Sequence, residues 1–119
     1  MLILAHKNLD VWKASMDLLK CVYNFTKELP SEEKYIFVSQ MRRASLSVLS
    51  NLAEGIARIS NKEKIRFIEI SRSSLVELDT HFEACIQLDY TSYEDLKEED
   101  ELINKIFAML TKLTKYYDK

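Results

Sequence analysis

Glycine and proline are nearly missing from this chain: its 119 residues hold one of each, Gly55 and Pro30. Tight hairpin turns want glycine at positive φ, and phosphate-cradling loops want several glycines at fixed spacing, so neither β-hairpins nor a P-loop is expected. Cysteine is scarce too. Cys21 and Cys85 form no CxxC pair and have no histidine cluster beside them, which points to free buried thiols in a reducing compartment. Histidine occurs twice, as His6 and His81. A bundle di-metal site needs two Glu-x-x-His motifs and two further carboxylates, and neither motif is present. His81 follows Glu77 by one helical turn and pairs with it on a helix flank. Ser47 with His81 lacks a strained nucleophile turn and an oxyanion loop. No catalytic residue, metal ligand or cofactor site is therefore expected. No run approaches the ~20 apolar residues that span a bilayer, and the apolar start Met1–Ala5 is too short for a secretory leader. A cytoplasmic protein follows, without membrane contact or an indicated small-molecule substrate.

What the chain does contain is helix. The hydrophobic share is 47% and the charged share 30%, ordinary for one folded domain of this length. Boundary chemistry divides residues 1–119 into four helices, about 9–28, 31–59, 61–89 and 92–117. Asn8 caps the first, and Leu29-Pro30 closes it because a residue before proline avoids helical geometry. Ser31 with Glu32 and Glu33 opens the second. Ser60-x-x-Glu63 and Thr91-x-x-Glu94 are capping boxes for the third and fourth. Val38, Met41, Ser45, Val48, Leu52 and Ile59 alternate by three and four, as do Ile68, Ser71, Leu75, Leu78, Phe82 and Cys85, and then Leu96, Ile103, Ile106, Leu110, Leu113 and Tyr117. These are bundle seams. Helices of ~25 residues, about 40 Å long and joined by short turns, must fold back on one another. The fold class is all-α: an antiparallel up-down-up-down four-helix bundle.

Two helices carry more apolar surface than one core needs. The first has one row at Leu9, Trp12, Met16, Leu19 and Tyr23 and another at Val11, Leu18, Val22, Phe25 and Leu29. The fourth adds Leu102, Met109 and Tyr116 beside its main row. Val11, Leu18, Val22, Phe25, Leu102, Met109 and Tyr116 are accordingly expected at contacts between subunits.

Charge is uneven although the net is only −2. Residues 1–33 sum to −1, residues 34–75 to +5 and residues 76–119 to −6. Either complementary faces pair with one another, or the middle helices offer an anion-binding surface. On the second helix Gln40, Arg43, Ser47, Asn51, Glu54 and Arg58 fall within about 80° of one another, opposite the Val38/Ser45/Leu52 seam. The spacing lets Arg43 meet Ser47, Asn51 meet Glu54, and Glu54 pair with Arg58. Gly55 beside this stripe costs a helix about 1 kcal/mol relative to alanine, which calls for close approach of another backbone or a ligand.

The run Gln40-Met41-Arg42-Arg43-Ala44-Ser45-Leu46-Ser47-Val48, followed by Asn51-Leu52-Ala53-Glu54-Gly55 and Arg58, resembles the signature of four-helix bundle proteins encoded in bacterial 23S rRNA intervening sequences. Leu9-Asp10-Val11-Trp12, Leu29-Pro30, Glu33-Lys34-Tyr35, Phe67, Ser74, Glu77-Leu78, Leu88 and Tyr90 extend the likeness almost end to end. Ala57 stands where that family often has a second glycine, and Asp89 where it commonly has glycine before the tyrosine. The ends of helices 2 and 3 are thus the places to look for altered geometry. The resemblance implies a homopentamer, and distant kinship with accessory subunits of diversity-generating retroelements, which are linked to a reverse transcriptase and nucleic acid. It brings no established activity.

Two functional readings follow. In the first, the chain is a non-catalytic oligomeric scaffold for RNA, DNA or a nucleic-acid enzyme, with Arg43, Arg58, Lys62, Lys64, Arg66 and Arg72 as phosphate contacts. In the second it is a protein-interaction module whose polar stripe, Gln40 to Arg58, is the subunit interface.

Overall fold

The computed structural model describes all 119 residues. Four α-helices carry the fold: α1 (Asp10–Lys27), α2 (Ser39–Ala57), α3 (Asn61–Gln87) and α4 (Lys97–Tyr117), with no strand. Each packs on the next, α4 closes against α1, and α2 lies most intimately on α3. The result is an antiparallel four-helix bundle measuring 45 × 27 × 21 Å.

The ends of the helices show which local signals operate. Ser60 caps α3 by accepting from the Glu63 amide at 3.2 Å, but the Glu63 carboxylate turns to Arg66 rather than back to the cap. Asn8 does not cap α1. It ends a short 3-10 turn, Ala5–Asn8, and the capping position falls on Leu9, whose side chain accepts nothing. The fourth helix starts later than its sequence signal. Ser92, not Thr91, accepts from the Asp95 amide at 3.3 Å, and a 3-10 turn at Glu94–Leu96 precedes α4. The chain after Pro30 is helical throughout but irregular at first. A 3-10 turn at Ser31–Glu33 leads into a wide π-type turn at Lys34–Val38, where the Ser39 amide reaches the Lys34 carbonyl. Arg58 leaves the helix at ψ 152, so α2 stops at Ala57 and Ile59 stands 98% exposed instead of in the seam.

The core is Met41, Ala44, Val48 and Leu52 on α2, Ile68, Leu75, Leu78, Phe82 and Cys85 on α3, Ile103, Ile106 and Leu110 on α4, and Val11, Ala14, Leu18 and Val22 on α1. Each fully buried aliphatic side chain contributes about 1.5–3 kcal/mol by leaving water. The α1 set corrects the sequence expectation: Val11, Leu18 and Val22, assigned there to a subunit contact, are the core row. Phe25 packs half-buried on Phe82, with ring centroids 5.1 Å apart. The row expected inside, Trp12, Met16, Leu19 and Tyr23, is only half-buried at the edge of α1.

Small residues let α2 and α3 approach. Ser71, fully buried, donates to the Val48 carbonyl at 2.6 Å. A Cβ on Gly55 would stand 3.1 Å from both the Lys64 carbonyl oxygen and the Phe67 Cβ. The glycine is there for a neighbouring backbone.

Candidate interaction surfaces

The polar stripe of α2 runs along the flank toward α3, where Arg43 and Ser47 reach groups of that helix, while the side chains of Arg43, Glu54 and Arg58 stay about half exposed. Arg43 donates to Gln40 Oε1 at 2.9 Å and pairs with Glu77 at 2.5 Å, and Glu77 also faces His81 Nε2 at 3.5 Å. Ser47 and Ser74 share a hydroxyl hydrogen bond of 2.8 Å. Asn51 donates to the Ser47 carbonyl and hydroxyl, both at 2.9 Å, and Arg58 pairs with Glu54 at 3.0 Å. Two expected contacts are therefore replaced: Arg43 chooses Gln40 and Glu77 over Ser47, and Asn51 chooses Ser47 over Glu54. For Arg43 the reason is reach, since α3 presents the Glu77 carboxylate to the same flank. Exposed pairs of this kind contribute about 0–1 kcal/mol each, so the ladder sets the register of α2 on α3 more than it adds stability.

The cations expected on one phosphate-binding surface are distributed around the molecule. Arg58 and Arg66 both lie over the Phe67 ring, each 4.4 Å from its centroid. Arg66 also donates to Glu63 at 2.6 Å, and this hydrogen bond holds the Glu63 carboxyl below the usual range. Lys64 donates to the Ile56 carbonyl at 2.6 Å and approaches the Tyr117 ring at 5.4 Å. Arg72 belongs to the other side of α3, bonded to Thr111 at 3.0 Å and stacked 4.1 Å over Phe107. Lys62 is exposed. Arg42, absent from the expected set, donates to Thr26 at 2.9 Å and covers Tyr23.

Charge nevertheless separates along the bundle axis. Leu4 and His6 lie against Ala57 and Arg58, and Lys64 against Tyr117, so the N-terminus, the α2–α3 joint and the C-terminus share one end. Residues 54–66 and 109–119 at that end hold seven Lys or Arg against three acids. At the other end, where Phe37 meets Tyr90 at 6.4 Å, residues 77–101 hold ten acids against one lysine. Asp79, Glu83, Glu99 and Asp100 there rim a cavity of about 80 Å³ floored by Phe82 and Ile103. Burial, with Glu83 and Asp100 nearby, raises the Asp79 pKa, and burial with Glu98 raises that of Glu99. Tyr93 donates to Glu83 at 2.5 Å. The charge count along the sequence pointed to this end, but not to the cavity, which requires α3 and α4 to converge.

Two apolar areas remain outside the core. Trp12, Met16, Leu19 and Tyr23 line the α1 edge beside α2, whose Leu46 is 46% exposed on the same side. Between α1 and α4, Leu9, Met109, Leu113 and Tyr116 line a groove of about 260 Å³. Of the residues expected at subunit contacts, Leu102 and Met109 are half-buried against the core, and Tyr116 is 55% exposed and stacked on Tyr117. Cys21 and Cys85 are free, their thiols pushed up to about 12 and about 11, in each case first by burial. Such thiols are poor nucleophiles at neutral pH. No three His, Cys, Asp or Glu side chains stand close enough to hold a metal ion. No helix is long and apolar enough to cross a membrane.

These features define the class: an all-α four-helix bundle with a polar α2–α3 lock, oppositely charged ends and an apolar α1 edge. The chain belongs to the family of 23S rRNA-intervening sequence proteins, whose family model matches residues 7–112. Among solved structures it is similar to a protein with unknown function from the S23 ribosomal protein family of Bacteroides thetaiotaomicron, at a TM-score of 0.80 and 20% identity, over 88% of this chain and 98% of that one. At that identity the likeness speaks for the fold. No curated protein matches the chain.

Proposed function

We propose that this protein is a non-catalytic, self-associating helical scaffold that binds single-stranded RNA or DNA, or an enzyme acting on it, through the basic end of the bundle. The observation that carries this reading is the axial charge separation, seven cations against three acids at the end built by residues 54–66 and 109–119. Arg58 and Arg66, both laid on the Phe67 ring, add planar guanidinium groups of the kind on which single-stranded bases stack. Self-association, in a ring of five as the family resemblance suggests, draws on the apolar α1 edge at Trp12, Met16, Leu19 and Tyr23. Binding of this type falls steeply with salt and reads little sequence. A gel-shift with single-stranded RNA at two salt concentrations tests it. A shift at low salt that weakens in Arg58→Ala/Lys62→Ala/Arg66→Ala supports the reading, and no shift at low salt ends it.

A second reading is favoured by a separate observation: Arg43, Lys64 and Arg66 all hold partners within the chain. In that reading the protein docks other proteins only. Its polar stripe is then the subunit contact, with Glu54 and Arg58 among its exposed members, so Glu54→Ala lowers the mass in light scattering.

A further inference from the structure

His6 is buried to 3% exposure, and its ring Nε2 has no hydrogen-bond partner. Such an orphaned nitrogen is uncommon in a folded protein and destabilises it. The imidazole rests with its ring edgewise to Trp12, centroids 4.6 Å apart, and lines an open cleft of about 420 Å³ between the N-terminal 3-10 turn and the end of α2. Leu4, Ala53 and Ala57 form the apolar walls, and Glu54 and Arg58 are the charged residues. The small alanines allow a flat ring to lie close. Glu54 and Arg58 are bonded side by side at 3.0 Å, with 56% and 46% of their side chains exposed. Together they offer two carboxylate acceptors next to a guanidinium donor. Burial and Lys7 lower the His6 pKa, so the imidazole is neutral and carries one donor and one acceptor.

We propose that this cleft is a binding pocket for an unpaired guanine base, with Glu54 accepting from the base N1–H and N2–H, Arg58 donating to O6, and the His6 ring, which lines the cleft, lying beside the base. The assignment rests on the nucleic-acid reading above and sharpens it. Among the four RNA bases only guanine presents two adjacent donors beside an acceptor on its Watson–Crick edge. Adenine and cytosine turn a ring acceptor toward the carboxylate, and uracil presents a single donor between two carbonyls. Lys62, Arg66 and Lys119, at the same end of the bundle, favour the phosphate that comes with the base.

Trp12 is the sole tryptophan and touches His6, so its emission reports on the cleft. The full-length chain is titrated with GMP, AMP, CMP and UMP. GMP is expected to change the emission saturably at about tenfold lower concentration than the other three, in line with the discrimination of a bidentate contact. Glu54→Gln, an exposed change that leaves the core untouched, is expected to erase that preference, and His6→Asn to weaken GMP. Equal response to all four nucleotides, no response, or a guanine preference that survives Glu54→Gln overturns the proposal. Emission that tracks protein concentration and ignores nucleotide assigns the cleft to a second copy and also overturns it. An RNA gel-shift run alongside separates the two levels: a shift that persists while GMP has no effect removes the pocket but leaves the scaffold reading standing.

Discussion

Gly55 lies against the backbone of the neighbouring helix at Lys64, so that a β-carbon on Gly55 would meet the Lys64 carbonyl oxygen at 3.1 Å and Ile68 Cγ1 at 3.2 Å. That contact fixes how closely the two helices carrying the polar ladder can approach. In an exposed helix Gly→Ala gains about 1 kcal/mol. Here the opposing atoms are backbone and a buried side chain, which have little room to give. Overpacking of this kind costs about 1–3 kcal/mol, so Gly55→Ala is expected to be net destabilising by about 1 kcal/mol. A lower urea midpoint at unchanged slope checks it, and an unchanged midpoint would mean that α2 and α3 separate freely.

Asp89 holds φ 61, the left-handed conformation, just beyond α3. The Tyr90 amide reaches the Cys85 carbonyl at 3.0 Å and the Asp89 amide the Ile86 carbonyl at 3.0 Å, which completes a Schellman stop. The departure from the family's glycine therefore leaves the turn intact, because a short polar side chain tolerates this region better than most. Asp89→Gly is expected to raise stability by up to about 1 kcal/mol and Asp89→Val to lower it by more than that. Thermal unfolding of the two variants beside the parent decides the matter.

The acidic cavity makes stability depend on pH in a defined direction. Asp79 and Glu99 have raised pKa values in the folded chain, so folding retains protons there. Their contribution is most favourable below the ordinary carboxyl range and is lost as pH rises through the raised values. Glu63, held low by Arg66, acts in the other sense: its contribution is present above the unfolded value and is lost as pH falls through the folded one. Asp79→Asn is expected to raise the melting temperature near pH 7 and to leave it unchanged near about pH 3, where the carboxyl is neutral in both states. A gain that is equal at both values would contradict the raised pKa.

How much of this was legible in the sequence depends on how many neighbours a helix has. The seams of α3 and α4 read cleanly, because Ile68, Leu75, Leu78 and Phe82 on one, and Ile103, Ile106 and Leu110 on the other, have no apolar rival row of equal width. On α2 the residue spacing locates the polar stripe but not its orientation. Met41, Ser45, Val48 and Leu52 of the expected seam are buried, but Val38 is only half-buried and the buried face also takes in Ala44 and Gly55, which moves its centre toward the stripe. That shift turns Ser47 and Arg43 from an outer face onto the α3 flank. The orphaned His6 had no sequence signal, since burial there comes from a 3-10 turn folding back on Trp12.

On α1 the two apolar rows exchange places between the sequence expectation and the structure, and the exchange yields the sharpest test of the assembly. Hydrophobicity does not distinguish them, but shape does. The inner line carries Ala14 and Ser15 among Val11, Leu18 and Val22, which suits close helix packing, while Trp12 and Tyr23 keep a polar tip for the rim. Leu18 and Leu19 are adjacent in sequence, yet Leu18 is 1% exposed and Leu19 lies at the edge. Leu18→Ala is expected to cost about 2–5 kcal/mol of folding stability through the cavity it leaves. Leu19→Lys, whose aliphatic stem can lie along the helix with its amine in water, is expected to cost less than about 1 kcal/mol. If the α1 edge carries self-association, Leu19→Lys with Met16→Lys reduces the mass seen in light scattering while the melting temperature stays near that of the parent. An undiminished mass in this folded double variant would move the subunit contact elsewhere, with the Leu9/Met109/Tyr116 groove the next to be tested.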